Sequence, residues 1–256
     1  TTNAKGFFYA FRFNRDEYKF YSCFQISEND CEFEYNEINR KLFVYSNTEC
    51  PKNKCECHYS NVYHFNGKGM IYDLNKEKRI GNITSQYGKI RKIRCLPKMD
   101  DVCIVCSDRY EIFDCRQDSL KSVFTFPKQN GSPFDCDFFT SSGEDLISIC
   151  NSNCQIAVAD IRNQNPIIKS YQVGPTGLET LSFSCHSEAE AGAIGNEKGV
   201  FVVDLKNGNE MEYTTVSQMF FASKKMQPVK QLLFNKNKFK LAVFQEPNDI
   251  ISLIED

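Results

Sequence analysis

The chain has 256 residues, with 31 Lys and Arg against 33 Asp and Glu, for a formal net charge of −2. That balance gives no electrostatic case for a nucleic-acid or membrane surface, and no apolar run approaches the ~18 residues needed to span a bilayer. Aromatic residues make up 13%, as 22 Phe and 12 Tyr with no Trp, a composition that favours strands.

In chain order, residues 7–13 (FFYAFRF) and 17–24 (EYKFYSCF) read as two strands around a polar turn. Residues 31–35 and 42–45 form a second pair, joined by the turn NEINRK. Residues 46–60 (SNTECPKNKCECHYS) break the pattern and read as an inserted Cys-rich loop. Strand character resumes at 62–65 and at 70–72, the latter ending at Asp73. Residues 88–116 (GKIRKIRCLPKMDDVCIVCSDRYEIFDCR) then read as three strands in a row. No stretch keeps a period of 3.6 residues, and the apolar runs are short and bounded by turn residues. Many short, evenly spaced strands imply a sandwich, a barrel or a propeller.

An internal repeat selects the propeller. First strands carry apolar residues at i, i+3 and i+5: Ile90/Ile93/Cys95, Leu178/Leu181/Phe183, Val229/Leu232/Phe234 and, more weakly, Pro133/Cys136/Phe138. Only Cys31/Phe33 survives in the first unit. Apolar second strands follow at 42–45, 102–106, 146–150, 191–194 and 241–244. Third strands end in an acid: Asp73, Asp114, Asp160, Asp204 and Glu255. These endings recur roughly every 41–51 residues, close to the ~40–45 of a four-stranded blade.

With those residues in place, the chain resembles the WD-repeat β-propeller family over roughly residues 6–256. GKIRKIRCLP, GLETLSFS and PVKQLLFN are similar to the family's inner-strand consensus. GMIYDL, YEIFDC, IAVADI, GVFVVDL and ISLIED occupy the place of its Trp-Asp ending. The chain has no Trp and no Gly-His dipeptide, so the His–Asp network that braces each blade in that family is absent or replaced. The resemblance implies an all-β fold, a single WD-repeat-like β-propeller domain over 1–256 built of four-stranded antiparallel blades, about six in number and incomplete at the chain ends. The chain opens on what read as third and outer strands and closes on a third strand. Either the two ends combine into one composite blade, or residues beyond them supply another.

The 13 cysteines are odd in number and scattered, and Cys95, Cys103, Cys106, Cys136 and Cys150 lie inside apolar strands. A buried free cysteine behaves as a small hydrophobe, so the expectation is a reducing compartment, cytoplasm or nucleus, without a disulfide framework. One metal candidate stands out: Cys50, Cys55, Cys57 and His58, with His64 six residues on. Thiolate and imidazole suit zinc. The spacing C-x4-C-x-C-H is not that of paired C-x2-C sites, however, and an exposed insertion explains it as well. No other cofactor is expected.

Two polar features are candidates for partner binding. The Asp-x-Arg endings place Arg116 and Arg162 on consecutive blades. In WD-repeat proteins such endings resemble the box read by the adaptor of a cullin-type ubiquitin ligase, where the arginines would pair with partner carboxylates. The alternative is that Asp-x-Arg only caps its turn. The second feature is Lys89, Arg91, Lys92 and Arg94, which together with Lys98 could meet phosphate or an acidic peptide. Side chains alternate faces along a strand, so these four do not form one patch, and solvated rim residues are the simpler reading.

Enzyme readings find little. The three histidines are His58, His64 and His186, and no G-x-S-x-G, Walker A loop or Gly-rich dinucleotide turn occurs. Asp135 and Asp137 flank Cys136, in a place that suits channel lining better than acid–base work. The sequence therefore points to a non-enzymatic protein–protein interaction scaffold, a subunit of a larger assembly, with no small-molecule substrate. The alternative is a substrate receptor of a cullin-type ubiquitin ligase.

Overall fold

The computed structural model describes residues 7–14, 17–25, 32–36, 38–45, 68–76, 78–95, 101–116, 120–210, 214–215, 228–235, 239–245 and 250–255. They fall in two compact units, residues 1–125 and 126–256. Among the described residues every regular element is a strand, and no helix is long and apolar enough to cross a membrane. The all-β reading therefore holds.

Unit 1 opens with an antiparallel hairpin, β1 (Phe7–Asn14) and β2 (Glu17–Gln25), which forms a two-stranded sheet. Two four-stranded antiparallel sheets follow, each in chain order. The first is β3 (Glu32–Asn36), β4 (Lys41–Tyr45), β5 (Gly69–Asp73) and β6 (Lys78–Ile83). The second is β7 (Lys92–Cys95), β8 (Val102–Cys106), β9 (Tyr110–Asp114) and β10 (Ser122–Thr125). One apolar cluster joins them, with Phe43, Tyr45, Ile71 and Ile83 from the first sheet against Ile93, Cys103, Val105 and Phe113 from the second and Ile90 from the segment before it.

Unit 2 holds three sheets. The first is β11 (Pro133–Ser141), β12 (Glu144–Asn151), β13 (Gln155–Ala159) and β14 (Ile167–Gln172). The second is β15 (Ser182–His186), β16 (Ala191–Asn196) and β17 (Gly199–Asp204). The third contains β18 (Thr214–Thr215), β19 (Val229–Phe234), β20 (Lys240–Gln245) and β21 (Ile250–Glu255). Two clusters bind these sheets together. Phe183 and Cys185 of β15 pack on Phe139, Cys150, Ile156 and Val158, and Val229, Leu232 and Phe234 of β19 pack on Ala191, Ala193, Val200 and Val202.

Burial explains the apolar pattern. The second strands β4, β8 and β16 are buried almost end to end, on both faces, and read as unbroken apolar runs. Outer strands such as β6 and β14 are largely exposed and carry charge. Turn chemistry fixes the register. Ser142 and Gly143, with φ of 52° and 82°, make the two-residue loop between β11 and β12, which sets Ser141 opposite Glu144.

Two alignments differ from the sequence reading. Phe183 faces Ile194 as Ile93 faces Val105, so Thr180, Phe183 and Cys185 hold the places assigned to Leu178, Leu181 and Phe183. The cause is a hydrogen-bonded threonine. Thr180 Oγ1, buried, donates to Asn151 O at 2.7 Å and accepts the Cys154 N–H at 3.1 Å, while Leu181 turns outward and is 37% exposed. Likewise Phe33 faces Val44, so Phe33 and Tyr35 take the places given to Cys31 and Phe33.

The outer strands of unit 2 also depart from expectation. The order β18-β21-β20-β19 puts Thr214 opposite Glu255 and Thr215 opposite Ile254. The third strand that closes the chain is thus covered by an earlier segment. Among the described residues the sheet before it has three strands, edged by a bridge between Val203 and Glu210.

Candidate functional site

The acids that end the third strands share one local structure. Asp73 Oδ1 accepts the N–H of Asn75 and Lys76, and Asp114, Asp160 and Asp204 each accept the N–H of the residue two further on, at 2.7–3.1 Å. This is the Asx turn that a short carboxylate makes with its own backbone. Around three of these turns the next residue ties back to the turn before the second strand: Leu74 N–H to Arg40 O, Cys115 N–H to Asp101 O and Leu205 N–H to Glu190 O. Arg40 and Glu190 adopt φ of 54° and 50° there.

Arg116 and Arg162 extend from two of these turns, and both are turned back onto the capping acid. Arg116 Nε lies 2.9 and 3.0 Å from the two Asp114 oxygens, and its Nη2 pairs with Asp114 Oδ2. Arg162 Nε reaches Asp160 Oδ1 at 2.7 Å, and its Nη2 reaches Asp160 Oδ2 and Glu144 Oε2, each at 2.9 Å. The Arg116 hydrogen bonds hold Asp114 down at about 2, and those of Arg162 likewise lower Asp160. Both arginine side chains remain more than half exposed, at 68% and 54%. Each turn therefore presents a cation whose charge is largely balanced by its own carboxylate.

The basic run is divided as strand alternation requires, and three of its members meet acids. Lys92 Nζ lies 3.0 Å from Glu32 Oε2, and Arg94 Nη1 lies 3.4 Å from Glu34 Oε2, so β3 and β7 are joined by two rungs. Arg91 turns the other way and meets Asp108 at 2.7 Å. Lys89 is exposed in the segment before β7, and Lys98 lies outside the described residues.

A contact invisible to sequence pattern recurs beside these rungs. Glu34 Oε1 accepts the backbone N–H of Cys95 at 3.4 Å, Asp137 Oδ2 that of Cys185 at 3.2 Å, and Ser184 Oγ that of Phe234 at 3.1 Å. The three acceptors hold the same register place, opposite Phe43, Ser148 and Ala193 respectively. Each ties the first strand of one sheet to the first strand of the next within its unit. Asp137, weighed as a channel or catalytic acid, has this structural task, and also accepts the Phe138 N–H. The only sequence signal for these residues is the polar alternation in strands such as β3.

A buried polar network braces the β7–β10 sheet. Ser85 Oγ contacts Glu111 Oε2 and lies 2.8 Å from Ser107 Oγ, which in turn lies 3.3 Å from Glu111 Oε2. The loop before β7, the β8–β9 turn and β9 itself are thereby linked. His186 has a comparable local role. Its Nδ1 accepts the N–H of Glu188 and Ala189, and its ring lies 5.6 and 5.8 Å from those of Phe234 and Phe239.

The zinc candidates Cys50, Cys55, Cys57 and His58, and His64 beside them, lie outside the described residues. Among the described residues no group of His, Cys, Asp and Glu is arranged to hold a metal ion.

No protein-family model matches the chain, and no curated protein does. Among solved structures, the crystal structure of Raptor from Chaetomium thermophilum matches 99% of this chain with a TM-score of 0.74 and 16% sequence identity. The chain spans 22% of the length of that Raptor chain. At this identity the likeness is one of fold.

Proposed function

We propose that the sheets are blades of a degenerate WD-repeat-like β-propeller, and that the protein is a non-enzymatic scaffold working as a subunit of a larger assembly. The observation that carries this reading is the recurrence of one sheet design, with its inter-sheet hydrogen bond and its Asx-turn ending, in a chain whose fold matches part of Raptor over 99% of its length. Such a design spends its polar groups on holding sheets together and leaves the connecting turns to face partners. Binding residues sit disproportionately on loops held by a rigid frame. The Ser85–Ser107–Glu111 network supports the WD-like reading, since it links the same three segments of one sheet that a bracing network must link. No cofactor is needed. Zinc on the Cys50–His58 loop is a separate proposal that elemental analysis of the purified protein decides. The setting proposed is a reducing one, cytoplasm or nucleus, which the eight free cysteines among the described residues support.

Affinity purification from the native organism, with mass spectrometry of what co-purifies, tests the scaffold reading. Co-purifying proteins in near-stoichiometric amount are expected, and a chain recovered alone would oppose it. A second reading, docking to the adaptor of a cullin-type ubiquitin ligase, is favoured by one observation: Arg116 and Arg162 extend from equivalent turns and both side chains are exposed. It requires the partner's carboxylates to compete with Asp114 and Asp160. Replacing both arginines by Ala abolishes adaptor capture if this reading holds, and undiminished capture refutes it.

A further inference from the structure

The second residue of each second strand and the residue after the acidic ending hold matching places in successive sheets. In the β15–β17 sheet they are Gly192 and Leu205, close enough that a methyl on Gly192 would lie 3.0 Å from Leu205 Cδ2. The β3–β6 sheet has Leu42 and Leu74 there, and the β11–β14 sheet has Ile147 and Ile161 by register. In the β7–β10 sheet both places are cysteine. Cys103 and Cys115 are buried, with their Sγ atoms 3.6 Å apart. A third cysteine, Cys95, is the cross-strand partner of Cys103. In the β3–β6 and β11–β14 sheets both places are aliphatic, so the paired thiols are a local substitution of chemistry within a common frame.

We propose that Cys103 and Cys115 are a redox-active dithiol that closes to a disulfide when hydrogen peroxide is the oxidant. A disulfide has an S–S length of about 2.05 Å, so the sulfurs must approach by about 1.5 Å. Cys115 is the member that reacts first. It retains 5% exposure where Cys103 has none, and it sits in a turn rather than within a strand. Its thiolate attacks one peroxide oxygen, the O–O bond breaks, and the products are a Cys115 sulfenic acid and hydroxide, which takes up the thiol proton to leave as water. Cys103 then attacks Cys115 Sγ. The S–S bond forms, the S–O bond breaks, and the hydroxyl leaves with the Cys103 proton as a second water. Two thiols give up two electrons and two protons, and one peroxide becomes two waters. The hydrogen bond to Cys115 and burial both raise the Cys103 pKa, so the second step is slow until the turn moves. Cys115 is the middle residue of the Asp114–Cys115–Arg116 ending, and closure therefore anchors that turn directly to β8.

The test uses the native full chain. It is exposed to stoichiometric hydrogen peroxide, its remaining thiols are alkylated after denaturation, and the digest is read by mass spectrometry. The expected result is a bridged Cys103–Cys115 peptide pair, formed while the protein is folded and abolished by dithiothreitol. In Cys103→Ser, dimedone should trap the sulfenic acid on Cys115. Bridging of Cys95 to Cys103 instead, or a Cys103–Cys115 bridge that forms only in denaturant, would overturn the proposal. The first readout is taken on the wild-type chain, so it stands even where a variant fails to fold.

Discussion

Two junctions, β3–β7 in unit 1 and β15–β19 in unit 2, solve one problem with different chemistry. In each, the first strand of one sheet must be tied to the first strand of the next. Between β3 and β7 in unit 1 the tie is long and charged: Lys92 to Glu32, Arg94 to Glu34, and Glu34 again to the Cys95 N–H. Between β15 and β19 in unit 2 it is short and neutral. Ser184 accepts the Phe234 N–H, and Gly195 lets the strands come close, since a methyl there would lie 2.3 Å from Ser182 Oγ and 2.5 Å from Val229 Cγ1. Long side chains span the gap in one case and small ones remove it in the other. The lesson is that the repeat conserves a register place and a hydrogen-bond acceptor while leaving side-chain size free, provided the neighbouring sheet adjusts.

This contrast can be broken from either side. The largest effect should come from the apolar half of the unit 1 contact. Ile93→Ala removes a fully buried side chain from the cluster between two sheets and is expected to cost about 2–5 kcal/mol in urea unfolding. The β15–β19 junction should instead be sensitive to added atoms. Gly195→Ala overpacks Ser182 and Val229, with an expected loss of about 1–3 kcal/mol. Ser184→Ala leaves the Phe234 N–H buried and unsatisfied, a loss of about 1–3 kcal/mol that should not change with salt. By contrast Lys92→Gln should cost under about 1 kcal/mol, and that loss should shrink as salt rises, because the pair is partly exposed. Equal, salt-independent losses at Ser184 and Lys92 would erase the distinction drawn here.

The turn acids give a pH signature. Arg116 depresses the folded-state pKa of Asp114 to about 2, below its ordinary value of 3.8. A depressed carboxyl contributes stability above its unfolded pKa and loses it as pH falls toward the folded one. Asp114→Asn should therefore be less stable than the wild type at neutral pH, with the two denaturation midpoints converging between about pH 4 and pH 2. Midpoints that stay apart at pH 2 would show that Asp114 acts by something other than its charge.

Much of this frame was legible in the sequence because it rests on local rules. The runs VCIVC and AGAIGN announce strands buried on both faces, and the acids Asp73, Asp114, Asp160 and Asp204 announce turns that a carboxylate can cap. What escaped was non-local or ambiguous. Leu178 and Leu181 imitate the first-strand spacing, while the buried place belongs to Thr180, whose hydroxyl finds partners about 30 residues earlier in the chain. The strand Thr214–Thr215 is too short to show any period. The Lys92–Glu32 and Arg94–Glu34 rungs join residues 60 apart, so the cations read as a patch when they are cross-links. For the candidate site, the sequence named Arg116 and Arg162 and also allowed that their aspartates cap the turn. The capping is observed at both turns.

The most direct test of the scaffold account is size fractionation of gentle native extracts under reducing conditions, with the chain followed by immunoblotting and quantitative mass spectrometry. The account predicts that the chain elutes well above the size of the lone polypeptide, together with a fixed set of other proteins in constant ratio. Elution of the endogenous chain at its own monomeric size, with no protein tracking it, would contradict that account.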